Sequence, residues 1–374
     1  MSGSPPATWP DSVLLAGGGS AGHVSPLLAL ADCLRSHRPD MAIAALGTAT
    51  GLEARLVPAR GYPLHVVPKV PLPRRLNADL VRLPSTLRAA VAAADRAIED
   101  TGAAVVVGFG GYVSTPAYLA ARRRHLPIVI HEQNARPGLA NRLGARLTPF
   151  VGVTFPSTTL AHRRVVGMPL RAEIARLDRS ASRAAALEHF ALADGYPTLL
   201  VTGGSLGAQR LNGALAGSVE ALRAAGIQVL HLTGAGKTFE VAPGEGPPYV
   251  VLPYSDRMDL AYAVADLVLA RSGANTVCEL TAVGLPGVYV PLPVGNGEQR
   301  LNAADVVAAG GGLLVEDAAV SASWVSSTLI PLLRNEARLA ELAAAAASVG
   351  ERDGDEQLAE LVALAFAAPR PGRS

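Results

Sequence analysis

Two glycine-rich segments of this chain have the composition of anion-binding turns. The first, residues 17–23 (GGGSAGH), follows the apolar run 13–16 and precedes a helical pattern at 27–34. Glycine lets a ligand approach the backbone, and the first amides of a helix are unpaired donors that point at it. The second segment, residues 203–207 (GGSLG), follows the apolar run 198–202. We expect each segment to bind a phosphate-type group, one in each of two similar domains.

The first segment also matches the dinucleotide pattern G-x-G-x-x-G, so a nicotinamide oxidoreductase is an alternative. Such a site needs an acidic residue after the second strand, where it holds the ribose hydroxyls. The second predicted strand, 41–46, is followed by Gly-Thr-Ala-Thr, and the nearest acid, Glu53, falls in a later helical pattern. The sequence therefore disfavours dinucleotide binding.

Four further polar loops follow predicted strands. They are residues 108–112 (GFGGY), 131–134 (HEQN), 271–279 (RSGANTVCE) and 293–302 (PVGNGEQRLN). Burying four consecutive polar side chains without partners is costly, so we expect 131–134 to line a cleft. The third loop opens a helix whose first amides could hold phosphate, while Glu279 could accept from two ribose hydroxyls. The alternatives are a flexible turn at 108–112 and a solvated helix position for Glu279.

Short apolar runs alternate with helical patterns along the chain, as in parallel sheets that are covered on both faces. The predicted strands are 13–16, 42–46, 104–107, 128–130 and 150–153, then 199–202, 228–232, 249–252, 267–270, 288–290 and 312–315. Each set fits one doubly wound α/β domain, in which ligands bind beyond the carboxyl ends of the strands. We expect Rossmann-like domains over 1–166 and 167–345. Residues 346–374 would supply a helix that crosses back to the first domain, plus a disordered tail.

Composition excludes several classes of function. A chain of 374 residues with 49% hydrophobic content exceeds what one core usually organises. Lys69 and Lys237 are the only lysines and the net charge is +2, which argues against nucleic acid as a partner. Cys33 and Cys278 form no metal-binding spacing and indicate a reducing cytoplasm. Residues 1–11 do not resemble a secretory signal, and no apolar run is long enough to span a membrane.

The loops together resemble the MurG family, which transfers N-acetylglucosamine from UDP-GlcNAc to the polyprenyl-linked muramoyl pentapeptide lipid I, giving lipid II for peptidoglycan. The matching segments, in the family's order, are 18–23, 108–112, 131–134, 167–171 (GMPLR), 203–208, 271–274 and 298–299. The resemblance implies an inverting, metal-independent glycosyltransferase of the B type (GT-B), with two Rossmann-like domains facing a cleft and no cofactor. The chain departs from the family pattern at Ser20-Ala21 and at Glu298.

The resemblance also implies the residues that contact each substrate. Donor contacts are implied for Ser20, Ala21, Gly22, Asn134, Arg171, Ser205, Ser255, Ala274, Asn275, Thr276, Val277, Cys278, Glu279 and Gln299. Acceptor contacts are implied for Gly110, Gly111, Tyr112, His131 and Glu132. Among the donor contacts, Ser205 and Arg171 would meet the pyrophosphate, and Ser255 would offer its backbone to uracil.

His23 is the leading candidate for the catalytic base, since it stands at the tip of the first glycine segment. Attack by the acceptor C4 hydroxyl needs a base, whereas helix N-termini and arginine can hold the charge on the departing diphosphate. In the alternative interpretation His23 caps its helix or positions a phosphate, and His131 or Glu132 accepts the proton. The motif at 353–355 (DGD) matches a manganese pattern but lies between two helices, where these residues act as caps. We expect no metal there.

A membrane surface is the expected setting, because the implied acceptor is a polyprenyl lipid. Segment 70–83 mixes leucines with Arg74, Arg75 and Arg82, as interfacial surfaces do, and Arg142 and Arg146 could extend it. An ordinary amphipathic packing helix is the alternative. The resemblance implies a protein on the cytoplasmic face of the cell membrane, with a cell-wall or division complex as a possible partner. Other functions left open are a UDP-GlcNAc epimerase, a transferase for a soluble aglycone and a non-catalytic nucleotide-sugar sensor.

Overall fold

The structure is a computed structural model that describes residues 8–70, 78–204 and 207–369. The chain divides into two compact units, the first comprising residues 1–171 and 352–374, the second Ala172–Glu351. The unit boundaries therefore fall a few residues after the expected positions 166 and 345. None of the described helices is long and apolar enough to cross a membrane.

The first unit contains a seven-stranded parallel sheet in the order β3-β2-β1-β4-β5-β6-β7. Its strands are β1 (Ser12–Ala16), β2 (Ala42–Gly47), β3 (Leu64–Val66), β4 (Val105–Gly108), β5 (Ile128–Glu132), β6 (Phe150–Val153) and β7 (Arg163–Val165). Its helices are α1 (Ala21–His37), α2 (Glu53–Ala59), α3 (Ala78–Thr101), α4 (Gly111–Arg123), α5 (Leu139–Gly144) and α17 (Gly354–Ala367). This is a doubly wound topology, whose order reverses next to β1.

The second unit contains a six-stranded parallel sheet in the order β10-β9-β8-β11-β12-β13. Its strands are β8 (Thr198–Thr202), β9 (Gln228–Leu232), β10 (Tyr249–Leu252), β11 (Leu267–Ala270), β12 (Gly287–Tyr289) and β13 (Gly312–Leu314). Its helices are α6 (Ala172–Ala175), α7 (Arg179–His189), α8 (Gln209–Ala216), α9 (Val219–Ala224), α10 (Met258–Val264), α11 (Ala274–Ala282), α12 (Glu298–Asn302), α13 (Ala304–Ala308), α14 (Ala322–Trp324), α15 (Ile330–Leu333) and α16 (Glu336–Ser348). A 3-10 turn at Asp317–Ala319 and a π-helical stretch at Val325–Leu329 complete the unit.

Each central strand is apolar throughout because both of its faces are covered. Val13 and Leu15 of β1 pack into one core cluster, and Leu14 and Ala16 pack into the cluster on the opposite face of the sheet. Successive side chains of a strand point to opposite faces, so a strand between two layers of helices needs apolar residues at every position. The doubly wound α/β fold predicted from these runs is confirmed in both units.

Two strands, β3 and β7, were not expected from the sequence. Both are three residues long and lie at the two edges of the first sheet. Each edge strand has one hydrogen-bonded neighbour, and all three residues of β7 are exposed. Such a strand carries little of the hydrophobic signal on which prediction from sequence depends.

Helix α17 packs against α1 and against strands β4 to β6, inside the first unit. Leu358, Leu361 and Val362 are buried there beside the α1 residues Leu27 and Leu30. The last helix therefore completes one of the two layers that cover the first sheet.

Candidate active site

The glycines of the first loop, between β1 and α1, serve different purposes. A Cβ on Gly17 would lie 3.1 Å from the Cβ of Phe109, and a Cβ on Gly18 would overlap the carboxyl group of Glu53. Gly19 has a φ of +90°, a conformation that favours glycine, and a Cβ there would meet no atom within 4 Å. A side chain at Gly17 would crowd Phe109, one at Gly18 would displace the Glu53 carboxyl group, and Gly19 is favoured by the turn itself.

Glu53, the first residue of α2, is the group that holds this loop in place. Its side chain is fully buried, and it accepts hydrogen bonds from the Gly19 amide (2.9 Å), the Thr48 amide (2.9 Å) and the Thr48 hydroxyl (2.7 Å). Burial acts to raise the pKa of Glu53, but these hydrogen bonds outweigh it and the pKa lies below its usual value. Sequence reasoning missed this role. The glycines at 18, 47 and 51, which all surround this one acid, were the signal that sequence reasoning did not use.

The buried carboxylate changes the expected chemistry of the first loop. The Gly19 amide, expected to face a phosphate, donates to Glu53 instead. An ionised carboxylate beside the loop also repels a second anion. The interpretation of this loop as an open phosphate cradle is therefore wrong at Gly19.

His23, on the first turn of α1, lies between the two glycine loops of the first unit. Its Nδ1 is 3.1 Å from the Ser20 hydroxyl, and its Nε2 would lie 3.4 Å from a Cβ on Gly110. Burial lowers the pKa of the half-buried ring below its usual value, while a hydrogen bond to the Gly18 backbone and the Glu53 charge act in the opposite direction. His23 is therefore neutral at physiological pH, as a proton acceptor must be.

The loop after β4 is locked rather than flexible. Gly110 and Gly111 have φ values of +91° and +76°, and a Cβ on Gly111 would lie 3.0 Å from the Gly18 carbonyl oxygen. The Ser114 hydroxyl accepts from the Gly110 amide and lies 2.9 Å from the Ala16 carbonyl oxygen. These contacts hold the two glycine loops together and contradict the flexible-turn alternative.

A cavity of about 290 Å³ opens between these loops in the first unit. Its lining includes Gly19, Ser20, His23, Thr50, Lys69 and Tyr112. The Lys69 ammonium lies 5.6 Å from the centre of the Tyr112 ring, and that ring is 45% exposed. The cavity thus presents an imidazole, hydroxyl groups and one ammonium group, a set of donors and acceptors that suits a polar ligand.

His131 and Glu132, the last residues of β5, have internal partners. The His131 ring is fully buried, with Nε2 2.9 Å from the Gly167 carbonyl oxygen and Nδ1 2.9 Å from the Gln133 amide nitrogen. Burial lowers the pKa of His131 to about 4. The structure therefore replaces the expected acceptor contact of His131 with an internal role and removes it as an alternative base.

Glu132 organises the loop that follows β5. Its carboxylate accepts from the amides of Asn134 and Gly138 and from the Asn141 side chain, each at 3.0 Å. Burial raises the pKa of Glu132, with those hydrogen bonds opposing the shift. Since only 2% of Glu132 is exposed, it shapes the loop that carries Asn134 and does not itself reach an acceptor. The donor contacts of Asn134 and of the half-buried Arg171 stay predictions.

The second glycine loop follows β8 in the second unit. A Cβ on Gly203 would overlap the Ala208 amide, and a Cβ on Gly207, whose φ is +70°, would overlap the Thr233 carbonyl oxygen. Glycine is therefore required at both positions. Ser205, expected to bind the donor pyrophosphate, lies outside the described residues.

The loop after β11 opens α11, as the sequence indicated. Gly273 is the N-cap, no side chain caps the helix, and the first turn contains no acidic residue. Such an N-terminus suits an anion. Ala274 and Val277 are buried, so they can offer a ligand only their backbone, as can half-buried Cys278, whose thiol pKa is raised by burial.

Glu279 is not merely solvated, since the Tyr262 hydroxyl donates to its Oε2 at 2.6 Å. The hydrogen bond fixes the carboxylate on the second turn of α11, in the same helix as the half-buried residues Asn275 and Thr276. A carboxylate held in this way can accept from the two neighbouring hydroxyls of a ribose. Donor contacts for these three residues stay predictions.

Two other predicted donor contacts make local hydrogen bonds. The Gln299 carbonyl oxygen accepts from the Leu292 amide at 2.9 Å, so the polar loop at 293–302 is pinned at its start. The buried Ser255 hydroxyl accepts from the Arg257 amide at 3.1 Å, which shapes the turn after β10.

Sequence reasoning missed an ion pair that joins three loops of the second unit. Arg271 Nη2 lies 2.7 Å from Asp317 Oδ1. Arg271 Nη1 donates to the carbonyl oxygens of Val290 and Pro291, each at 3.2 Å. The pair lines a cavity of about 790 Å³ together with Gly207. Arg271 thus fixes the ends of β11 and β12, which sets the position of the loop before α12.

The aspartates of the motif at 353–355 act at the start of α17. The Asp353 carboxylate accepts from the Gln357 amide at 3.2 Å, and a Cβ on Gly354 would overlap the Met168 backbone. Within the described ranges, the side chains close enough to share a metal ion are Cys33, His37 and Glu356. Neither aspartate of the motif belongs to that group.

Comparison with known proteins gives two matching domain families and close relatives over nearly the whole chain. Residues 13–151 match the glycosyltransferase family 28 N-terminal domain, and residues 198–358 match the glycosyltransferase family 28 C-terminal domain. The UDP-N-acetylglucosamine–N-acetylmuramyl-(pentapeptide) pyrophosphoryl-undecaprenol N-acetylglucosamine transferase of Leifsonia xyli subsp. xyli is 58% identical, over 95% of this chain and 99% of its own length. The protein of the same name from Streptomyces avermitilis is 54% identical, over 95% of this chain and 99% of its own length.

Solved structures confirm the fold. MurG of Acinetobacter baumannii superposes with a TM-score of 0.75 and 29% identity, over 94% of this chain and 99% of that one. The calicheamicin glycosyltransferase CalG4 gives a TM-score of 0.65 at 18% identity, over 96% and 99%. A putative UDP-N-acetylglucosamine 2-epimerase from Listeria monocytogenes gives a TM-score of 0.61 at 13% identity, over 93% of this chain and 94% of that one. The last two likenesses concern the fold alone, which transferases and epimerases share.

Proposed function

The chain belongs to the MurG family of glycosyltransferase family 28, and we propose that it catalyses the reaction for which its relatives are named. N-Acetylglucosamine would pass from UDP-GlcNAc to the C4 hydroxyl of the muramoyl sugar of lipid I, giving lipid II and UDP. The observation that carries this proposal is 58% identity to a named transferase over 95% of the chain and 99% of the relative. The structure supports it with two Rossmann-like units of the B type.

The second unit is proposed to bind the donor. The α11 N-terminus would face a donor phosphate, and Glu279 would accept from the ribose hydroxyls. When UDP is displaced from the anomeric carbon, negative charge grows on the departing diphosphate. Helix N-termini together with Arg171 are proposed to stabilise that charge, since such groups are oriented before the reaction starts.

His23 is proposed as the base that accepts the proton of the attacking hydroxyl. Its lowered pKa keeps the ring neutral, and a neutral imidazole has one ring nitrogen that can accept a proton. A single displacement inverts the anomeric centre. The O–H bond of the acceptor breaks toward His23 while the new glycosidic bond forms and the bond to UDP breaks.

A transfer assay tests the proposed reaction. Purified protein, UDP-GlcNAc and a lipid I analogue should yield a lipid II analogue and UDP in equal amounts. An epimerase would release no disaccharide lipid, and a sensor would bind the donor without turnover. Calorimetric titration with UDP-GlcNAc, UDP-glucose and NADH completes the test, because preference for UDP-glucose or NADH would contradict the proposed donor.

The role of His23 can be tested separately. His23→Ala should lower turnover by about 100-fold or more, because general base catalysis is lost, while the calorimetric Kd for UDP-GlcNAc stays unchanged. His125→Asn is the matched control, since His125 is an exposed histidine of the same unit. Near-normal turnover in His23→Ala would remove His23 from the catalytic role.

We also propose that the protein works on the cytoplasmic face of the cell membrane, where a polyprenyl acceptor is accessible. The proposed contact is the segment 70–83. Arg74, Arg75 and the side chain of Arg82 lie outside the described residues, so this proposal rests on the sequence and on the lipid named in the relatives. A cell-wall or division complex is a further proposed partner.

Vesicle binding tests the membrane proposal. Changing Arg74, Arg75 and Arg82 to glutamate should reduce sedimentation with anionic vesicles, because cations near the surface attract anionic lipids. The control changes the exposed residues Arg122, Arg123 and Arg334 to glutamate, which alters the net charge equally. Equal partitioning of both variants and the unmodified protein would refute the proposed contact.

A further inference from the structure

We propose that Glu53 is a positioning residue for the transfer reaction, because its carboxylate clamps the first glycine loop and places a fixed negative charge behind His23. This inference rests on the proposed function, in which His23 accepts the proton of the acceptor hydroxyl. Glu53 is fully buried, so the proposed role acts through its neighbours and not through contact with a substrate.

The clamp joins two loops that are distant in the sequence. Oε2 accepts from the Gly19 amide in the loop after β1, and Oε1 accepts from the amide and hydroxyl of Thr48 after β2. Strands β1 and β2 are parallel neighbours, so both loops leave the same edge of the sheet. One carboxylate therefore sets the spacing of these two loops where they line the cavity beside His23.

The surrounding backbone is built around this side chain. A Cβ on Gly18, Gly47 or Gly51 would overlap atoms of Glu53. These glycines come from both clamped loops, and the absence of side chains there leaves the space that the Glu53 carboxyl group occupies. A buried charge is unfavourable unless hydrogen bonds compensate it, and here three donors do so. An apolar side chain could fill the space but would leave those donors without a partner.

Gly18 connects the carboxylate to the proposed base. One side of Gly18 packs against Glu53, and its backbone is hydrogen bonded to the His23 ring. The negative charge favours a protonated ring, which offsets part of the desolvation that lowers the pKa of His23. Lys69, after β3, and Tyr112, on α4, are the other titratable groups that line the cavity beside His23.

The charge matters at one moment of the reaction. As the acceptor oxygen bonds to the anomeric carbon, its proton moves to His23 and the electron pair of the broken bond leaves with UDP. His23 then carries a positive charge, which the Glu53 carboxylate stabilises at a distance. Glu53 stays ionised and exchanges no proton.

The pH dependence of kcat/KM separates this role from a structural one. Glu53→Gln keeps the size of the side chain but removes the charge and one acceptor. The plateau of kcat/KM should fall by about 10-fold or more as the Gly19 amide loses its partner. The midpoint of the acidic limb should also move to lower pH, by roughly half a unit, because the protonated ring loses a stabilising charge.

Glu53→Asp tests the clamp without removing the charge. The shorter side chain cannot reach both loops, so the plateau should fall while the acidic midpoint stays within about 0.3 unit of the unmodified enzyme. Glu356→Gln is the matched control, because that half-exposed carboxylate pairs with His37 in the same unit and should leave both quantities unchanged. Thermal unfolding checks that each variant is folded.

The outcomes discriminate clearly. A lowered plateau with an unmoved midpoint in Glu53→Gln would overturn the electrostatic role. If Glu53→Gln does not fold, Glu53→Asp decides, and an undiminished kcat in that variant would overturn the clamp. If the unmodified enzyme transfers no N-acetylglucosamine to the lipid I analogue, the proposed function fails instead.

Discussion

Acidification should weaken each unit of this protein, and one fully buried histidine in each unit contributes to the loss of stability. His131 in β5 and His231 in β9 are fully buried, and burial lowers the pKa of each from 6.5 to about 4. The His131 ring is bonded to Gly167, and the His231 ring to Asn212. Between these two pKa values the unfolded chain binds a proton that the folded chain does not. The stability contributed by each neutral histidine is therefore present above pH 6.5 and is lost as the pH falls toward 4.

The size of the effect follows from the difference between the two pKa values. A shift of one pKa unit corresponds to about 1.4 kcal/mol of unfolding free energy. Each histidine can therefore change the unfolding free energy by at most about 3 kcal/mol. Between about pH 7 and about pH 5 the expected loss is about 2 kcal/mol for each unit. Domains are stable by about 5–15 kcal/mol, so this loss is large enough to measure.

The two tryptophans allow each unit to be followed by itself. Trp9 belongs to the first unit and Trp324 to the second, so Trp324→Phe and Trp9→Phe each leave one fluorescent probe. Urea unfolding at about pH 7 and about pH 5 gives the free energy of unfolding at each pH. His131→Gln should destabilise the first unit at both pH values and reduce the difference between them by about 2 kcal/mol.

His125→Asn is the control for the first unit, since His125 is exposed and adopts a positive φ of 54° that asparagine tolerates. It should leave the pH dependence unchanged. An unfolding free energy that is the same at both pH values in the unmodified protein would refute the argument from histidine burial. Equal pH dependence in His131→Gln and the unmodified protein would show that His131 is not the group responsible.

Three further outcomes are expected. Gly207→Ala should destabilise the second unit by about 2–3 kcal/mol in a urea titration, because the new Cβ overlaps the Thr233 carbonyl oxygen. The control is Gly226→Ala, where φ is +75° and a Cβ would meet no atom within 4 Å. It should lose less stability, because only the strain of a positive φ acts on the new alanine. Tyr262→Phe should raise the calorimetric Kd for UDP-GlcNAc by about 5-fold, since Glu279 loses the hydrogen bond that orients it; an unchanged Kd would contradict the ribose role. Transfer should proceed fully in excess chelator, and a strict requirement for a divalent ion would contradict the metal-independent mechanism.

Much of the fold could be predicted from local patterns. The apolar runs that form β1 and β8 lie between helical patterns. An uninterrupted apolar run in that setting is typical of a parallel strand whose two faces are both covered by helices. The strands β3 and β7 were missed because an edge strand shows a weak hydrophobic pattern. The resemblance to the MurG family, which rested on seven ordered motifs, is confirmed by relatives at 53% to 58% identity.

The candidate site was only partly predictable. The polar loops follow parallel strands, as the sequence indicated, because glycines and polar residues collect there. It did not indicate which polar side chains face a ligand. His131 and Glu132 follow a buried strand, as a ligand-binding residue would, yet both are hydrogen bonded within the first unit. A polar group after a strand can be satisfied by a ligand or by the protein, and composition does not distinguish the two.

By itself, the sequence determined the two doubly wound units, the glycine loops and the family, since these depend on residue types at short and regular spacings. Only the tertiary structure decided that Glu53 closes the first loop. Its partner Gly19 is 34 positions away in the chain, and the contact exists only because β1 and β2 are neighbours in the sheet. The physical reason is that hydrogen-bond partners are chosen by distance in space, which a linear pattern does not encode.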